Sequence, residues 1–219
     1  MTAGRNSEAP LVACVHATPR AIDPTEMLLK TVGPVAVHHL IDEQLLAAGD
    51  DAAGPSIFRR ALQEATSLRP AVVLTTCSMY TRFLDALRQH TKPPLLGIDE
   101  PMIDHAARTG GRLGFVGSIE TAVQLTAEEV LRRARAINVD ADVAETLLVP
   151  RDSCDTDAGR RTLAAQIQEL RSRVDHVVVV QLSLSPAVDL LTNEECRSVF
   201  TAVPFAATRI RSILGAAAT

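Results

Sequence analysis

The chain has no tryptophan, one tyrosine and five phenylalanines in 219 residues. So little aromatic surface excludes a base-stacking platform for single-stranded nucleic acid and leaves the core to Val, Leu, Ile and Ala. A basic stretch is missing too. The 22 Lys and Arg are outnumbered by 26 Asp and Glu, for a formal net charge of -4. A phosphate backbone finds no electrostatic footprint here, so nucleic acid is not an expected partner. No apolar run approaches the roughly 20 residues that cross a bilayer, and "MTAGRNSEAP" at residues 1–10 lacks the apolar segment of a secretory leader. The expectation is a cytoplasmic protein with no membrane partner.

Cysteine is scarce and scattered. Cys14, Cys77, Cys154 and Cys196 form no C-x-x-C pair and have no histidine at metal-ligand spacing. Neither a disulfide framework nor a zinc site is expected, and each thiol is judged alone. "VHHLIDEQLL" holds His38, His39, Asp42 and Glu43 close together. Neighbouring residues of a strand point to opposite faces, so His38 and His39 do not reach one ion, and no metal is assigned.

What the chain does have is a recurrent pattern of short apolar runs: "LVACV", "VAVHHL", "AVVLTT", "PLLGI", "LGFVG", "TLLVP", "VVVVQL" and "VFTAV". Between most of them lie segments of helical period, such as Val123, Ala127, Val130, Leu131, Ala134 and Ile137, or Leu163, Ile167, Leu170 and Val174. This alternation predicts an α/β fold with mostly parallel sheets, whose strands are buried on both faces by crossover helices. The two halves also rhyme. Aligning "AVVLTTCSM" (71–79) with "HVVVVQLSL" (176–184) places Ser78 on Ser183 and Cys77 on Leu182. Two pseudo-symmetric lobes are therefore expected, with a cleft between them. Residues 1–98 plus 196–219 make the first lobe and 99–195 the second, with the crossing near "GIDEPM".

In open parallel sheets, ligands bind beyond the carboxyl ends of the strands, where loops lead into helix N-termini. Cys77 is at such a place. Free backbone N–H groups there favour a thiolate or a bound carboxylate, and Thr75, Thr76 and Ser78 add hydroxyls. The alternative is a small buried hydrophobe, the usual state of a free cysteine. "LGFVGSIETAV" repeats the arrangement, with Gly117 allowing close approach and Ser118 and Thr121 able to hold a carboxylate or simply to cap a helix. His16, ending the first strand in "VHATPR", has the best intrinsic pKa for proton transfer if it reaches the cleft. Cys14 reads as core.

"TTCSM" and "GFVGSIET", together with "VHHLIDEQLL", "GIDEPMIDHAARTGGRLGFVGS" and "DHVVVVQLSLS" in that order, resemble the aspartate/glutamate/hydantoin racemase superfamily over nearly the whole chain. The resemblance implies a two-lobed fold with an interlobe active site and a cofactor-independent enzyme acting on a small carboxylic acid. It implies Cys77 as the catalytic thiol, with Thr76, Ser78, Met79, Gly117, Ser118, Thr121, Gln181 and Ser183 around the substrate. One departure stands out. Where two-cysteine members carry a second Gly-Cys-Thr motif, this chain has Gln181, Leu182 and Ser183, and leucine transfers no proton. His16 is the candidate for the missing group. Racemisation or isomerisation is the leading expectation, a one-cysteine decarboxylase or lyase the second, and a non-catalytic carboxylate sensor the third. Homo-oligomers are common among enzymes of this size, so self-association is a possible state.

Overall fold

A computed structural model describes residues 9–48 and 52–217. The opening residues 1–8, part of the segment read above for a leader, lie outside the described residues. The elements run β1 (Leu11–His16), α1 (Ile22–Val32), β2 (Ala36–Ile41), α2 (Gln44–Ala48), α3 (Gly54–Ser67), β3 (Val72–Thr75), α4 (Leu84–Arg88), β4 (Leu95–Gly97) and α5 (Glu100–Thr109). They continue as β5 (Gly111–Gly117), α6 (Glu120–Ala136), β6 (Ala141–Leu148), α7 (Asp157–Arg171), β7 (His176–Val179), β8 (Val199–Phe200) and α8 (Ala202–Ala217).

The strands form two four-stranded sheets, ordered β2-β1-β3-β4 and β6-β5-β7-β8, with every pairing parallel. Both halves thus place their strands in the order second, first, third, fourth, which is the expected two-lobed α/β architecture. Central strands are apolar on both faces because helices cover both. Along β1, Val12 and Cys14 pack with Leu28 and Leu29 of α1 and Ala206 and Ile210 of α8, while Ala13 and Val15 pack with Phe58 and Ala61 of α3. The edge strands β2 and β6 alternate or lie largely open instead.

One apolar cluster joins the lobes. It runs from Ala13, Val15 and Tyr80 in the first half to Phe115, Val123 and Val178 in the second without a break. The chain crosses back later than residue 196. Val199 and Phe200 pair with Val177 and Val178 of β7, so β8 belongs to the second sheet, whereas α8 packs against α1 in the first lobe. The reason is local: "VF" is the last apolar run and finds its open edge beside β7, and the helix after it carries the chain over.

Short 3-10 helices replace α-helices at two places that matter. Ser78–Phe83 follows β3 and Leu182–Leu190 follows β7. Pro186 inside the second of them removes a backbone donor that an α-helix would need.

Candidate active site

The carboxyl ends of β1, β3 and β4 face those of β5 and β7 across a small pocket. Its walls are Ala17, Thr18 and Ala21 after β1, Thr76 to Met79 after β3, and Ile98 and Asp99 after β4. Across from them stand Ile119 and Ala122 after β5 and Val180 to Ser183 after β7, with Leu46 closing one side. The cavity is about 60 Å³, where one water needs roughly 10–15 Å³. That is room for a few waters or a short organic acid.

Cys77 carries the one thiol among these residues. It precedes the 3-10 helix, with φ −100° and ψ 107°, and the Met79 N–H is directed at its sulfur. That donor favours the thiolate, but it loses. Burial pushes the thiol up to about 12, and the nearby Asp99 carboxylate pushes the same way. The expected thiolate-stabilising helix start is therefore outweighed by desolvation.

Asp99 was passed over in the sequence, although a carboxylate directly after the apolar run "PLLGI" was the signal. Thr75 is paired with Gly97 in the parallel ladder, so Cys77 and Asp99 leave the first sheet side by side. Asp99 is buried, and the Thr81 hydroxyl donates to its Oδ1 at 2.6 Å. Its Oδ2 has no hydrogen-bond partner among the described residues. Burial raises the carboxyl to about 6, against the pull of the Thr81 hydrogen bond.

On the facing wall, the backbone N–H of Ser118 donates to Gln181 Oε1 at 2.8 Å. This fixes the amide orientation, since only the oxygen accepts. It leaves the buried Nε2 as an unpartnered donor. The arrangement depends on Gly117, where a Cβ would lie 2.3 Å from Val123 and 2.8 Å from Gln181 Oε1.

Of the residues singled out in the sequence, Thr76, Cys77, Ser78, Met79, Gln181, Leu182 and Ser183 line this pocket, but the halves correspond one residue off the sequence alignment, with Gln181 rather than Leu182 at the place of Cys77. Gly117, Ser118 and Thr121 do not line it. Ile119, with no side-chain cap bond, is the N-cap of α6, Thr121 faces solvent, and the Ser118 amide is already engaged. The "GSIET" turn therefore meets the pocket through Gln181, whose amide oxygen the Ser118 N–H holds.

His16 is also absent from the pocket. It alternates with Ala17 along the chain and so faces the α1 side of the sheet, fully buried. Its Nδ1 is 2.9 Å from Thr76 Oγ1 and its Nε2 is 2.8 Å from His39 Nδ1. Burial, and then His39, lowers it to about 4, so it is neutral. Cys14 is buried beside it, while Cys154 and Cys196 are half-buried at the edge of the second lobe's core. No described helix is long and apolar enough to cross a membrane.

No curated protein sequence matches the chain. Solved structures do. Aspartate racemase of Picrophilus torridus superposes with a TM-score of 0.65 at 14% identity, covering 94% of each chain. A glutamate racemase isoform of Bacillus anthracis gives 0.69 at 10% identity, covering 95% of this chain and 82% of that one. A variant of maleate cis-trans isomerase from Nocardia farcinica with a covalently bound succinylcysteine intermediate gives 0.62 at 15% identity, covering 94% and 93%. At such identities these likenesses concern the fold. The model of the Asp/Glu/hydantoin racemase family matches residues 5–193, nearly the whole chain, and the protein belongs to that family.

Proposed function

We propose that the protein is a cofactor-independent isomerase of the racemase/epimerase class that binds a small carboxylic acid between its sheets and moves a proton at the α-carbon through Cys77. The observation that carries this reading is the Cys77 thiol in the wall of a small interlobe pocket, facing the amide of Gln181 and the hydroxyl of Ser183. The unpartnered Gln181 Nε2 is suited to the substrate carboxylate. That amide and the Ser78 and Ser183 hydroxyls are the donors for charge developing on the carbanion. Asp99 is a proton relay: as a carboxylate it takes the thiol proton and the thiolate removes the α-proton. Inversion follows when the planar carbanion takes a proton on its other face from a water in the pocket, and the Asp99 proton neutralises the hydroxide left behind. With the thiol near 12 and the carboxyl near 6, the first transfer is uphill by on the order of 8 kcal/mol. This lies within an enzymatic barrier. The succinylcysteine of the maleate isomerase supports the use of a cysteine on a small dicarboxylate in this fold.

A decarboxylase or lyase is the second reading, and a specific observation favours it. Cys77 and Asp99 lie on one wall, Leu182 stands opposite, and the thiol is held protonated. A leaving group could then depart and the Cys77 S–H protonate the carbanion from one face, with no second thiol. Incubation of the protein in deuterium oxide with 2-amino, 2-hydroxy and malonate-type acids separates the readings. Deuteration with inversion at the α-carbon is expected for the isomerase, and loss of carbon dioxide for the decarboxylase. Tight binding with neither points to carboxylate sensing. Full turnover by Cys77→Ala would remove the mechanism.

A further inference from the structure

Three groups of metal-binding type converge behind the pocket, on the face of the first sheet that α1 covers. Cys14 and His16 are two residues apart on β1 and share that face, and His39 lies opposite Cys14 in the parallel ladder to β2. Their ligand atoms, one sulfur and two imidazole nitrogens, are all within 4.8 Å of one another. The alternation that keeps His38 away from His39 is what brings His39 onto its neighbour strand's histidine. We propose that Cys14, His16 and His39 form a binding site for a single divalent transition-metal ion, Zn²⁺ being the best match to one thiolate and two imidazoles.

The outer partners are those a metal site needs. A ligating histidine holds its ring by donating the other N–H to a carboxylate or another oxygen. His39 Nε2 is 2.9 Å from Glu26 Oε1 on α1, and His16 Nδ1 is 2.9 Å from Thr76 Oγ1. With both outer nitrogens donating, His16 Nε2 and His39 Nδ1 present lone pairs to each other at 2.8 Å. Two bare nitrogens at that distance repel unless a cation lies against both.

Without an ion the same atoms make a hydrogen-bonded chain. The Thr76 hydroxyl donates to His16 Nδ1, His16 Nε2–H to His39 Nδ1, and His39 Nε2–H to Glu26. Binding needs little rearrangement. The His16 proton moves from Nε2 to Nδ1, where Thr76 Oγ1 accepts it, and the Thr76 hydroxyl turns to the Val15 carbonyl, 3.3 Å away. The Cys14 thiol proton passes to solvent, so one proton is released per ion. Tetrahedral ligation puts two nitrogens about 3.3 Å apart and sulfur about 3.6 Å from each. The imidazoles must part by about half an ångström and the sulfur close in. An entry path exists on the β2 side, where the His39 and Glu26 side chains are 19% and 39% exposed. A bound ion would clamp β1 to β2 and, through His16, hold Thr76, the residue before Cys77.

The test is direct and needs no substrate. The full-length protein, freed of metal with a chelator and dialysed, is titrated with Zn²⁺ by calorimetry and with Co²⁺ by absorption. One ion per chain is expected, with a thiolate-to-cobalt charge-transfer band in the near ultraviolet. His39→Gln and Cys14→Ala should each abolish that band. Glu26→Gln should weaken Zn²⁺ binding by about 10–100-fold, and Cys77→Ser should leave it unchanged. Should Cys14→Ala not fold, His39→Gln and Glu26→Gln, both at partly exposed positions, decide alone. Absence of one-to-one binding by the wild type overturns the proposal, as does wild-type affinity in both of those variants.

Discussion

Burial sets the chemistry of Cys77. With the thiol near 12, thiolate at pH 8 is roughly one part in ten thousand, against about a quarter for a free cysteine. Alkylation of Cys77 by iodoacetamide in the folded protein should therefore be at least a hundredfold slower than in urea-unfolded protein, read by mass spectrometry of the peptide. Comparable rates would mean an ionised, open thiol. Asp99 gives a pH signature of the same origin. Its carboxyl ionises near 3.8 when unfolded and about 6 when folded, so the folded form holds the proton more tightly. The resulting contribution to stability is present below pH 4 and is lost as the pH rises through 6. Asp99→Asn keeps an acceptor for the Thr81 hydroxyl and should abolish this slope. At pH 7 the variant should be the more stable by up to on the order of 3 kcal/mol, the full value of the shift from 3.8 to 6. Urea midpoints from pH 4 to 8 measure it, and a less stable variant would show that the carboxylate has a favourable partner.

At the level of elements, the strands were legible because apolar runs buried on both faces have few other readings. "VVLT" became β3 and "HVVV" became β7, in equivalent places of two equally ordered sheets. The offset that aligned Cys77 with Leu182 was one residue too long: strand ends and 3-10 helix starts pair Cys77 with Gln181. Position along a strand was legible to within one residue, but direction across it was not. His16 ends an apolar run, and its parity relative to Cys14 turns it to the α1 face rather than the pocket. The Cys14–His16–His39 cluster was missed because it forms by pairing between strands, which residue spacing along one strand does not encode. The "GSIET" turn stands outside the pocket lining for a different reason: Gln181, 63 residues away, accepts from its Ser118 N–H. Gly117→Ala tests that linkage. Its Cβ would overlap Val123 and the Gln181 amide, at a cost of about 1–3 kcal/mol. Thermal unfolding should show the loss, and carboxylate binding should weaken with it.

Across the whole molecule, the halves are joined by charge as well as by apolar contact. Glu100, at the start of α5, accepts from Arg88 of α4 at 2.5 Å and from the Gly97 N–H at 2.6 Å, and Arg133 of α6 lies 3.9 Å away. Its side chain is 8% exposed. Both arginines keep other carboxylate partners, Asp85 for one and Asp104 and Glu129 for the other. Glu100→Ala should then cost about 3 kcal/mol, the lower end for breaking a buried pair, measured by denaturant unfolding. An unchanged midpoint would mean the network is decorative. The shared apolar cluster has a further effect. Two halves that share one core through Val15, Tyr80, Phe115 and Val178 are expected to unfold together, and on the proposed function an acid would reach the small pocket past the loops of Thr18 and Ser183. Calorimetry should record a single endotherm, and long-tailed acids should be turned away at the door.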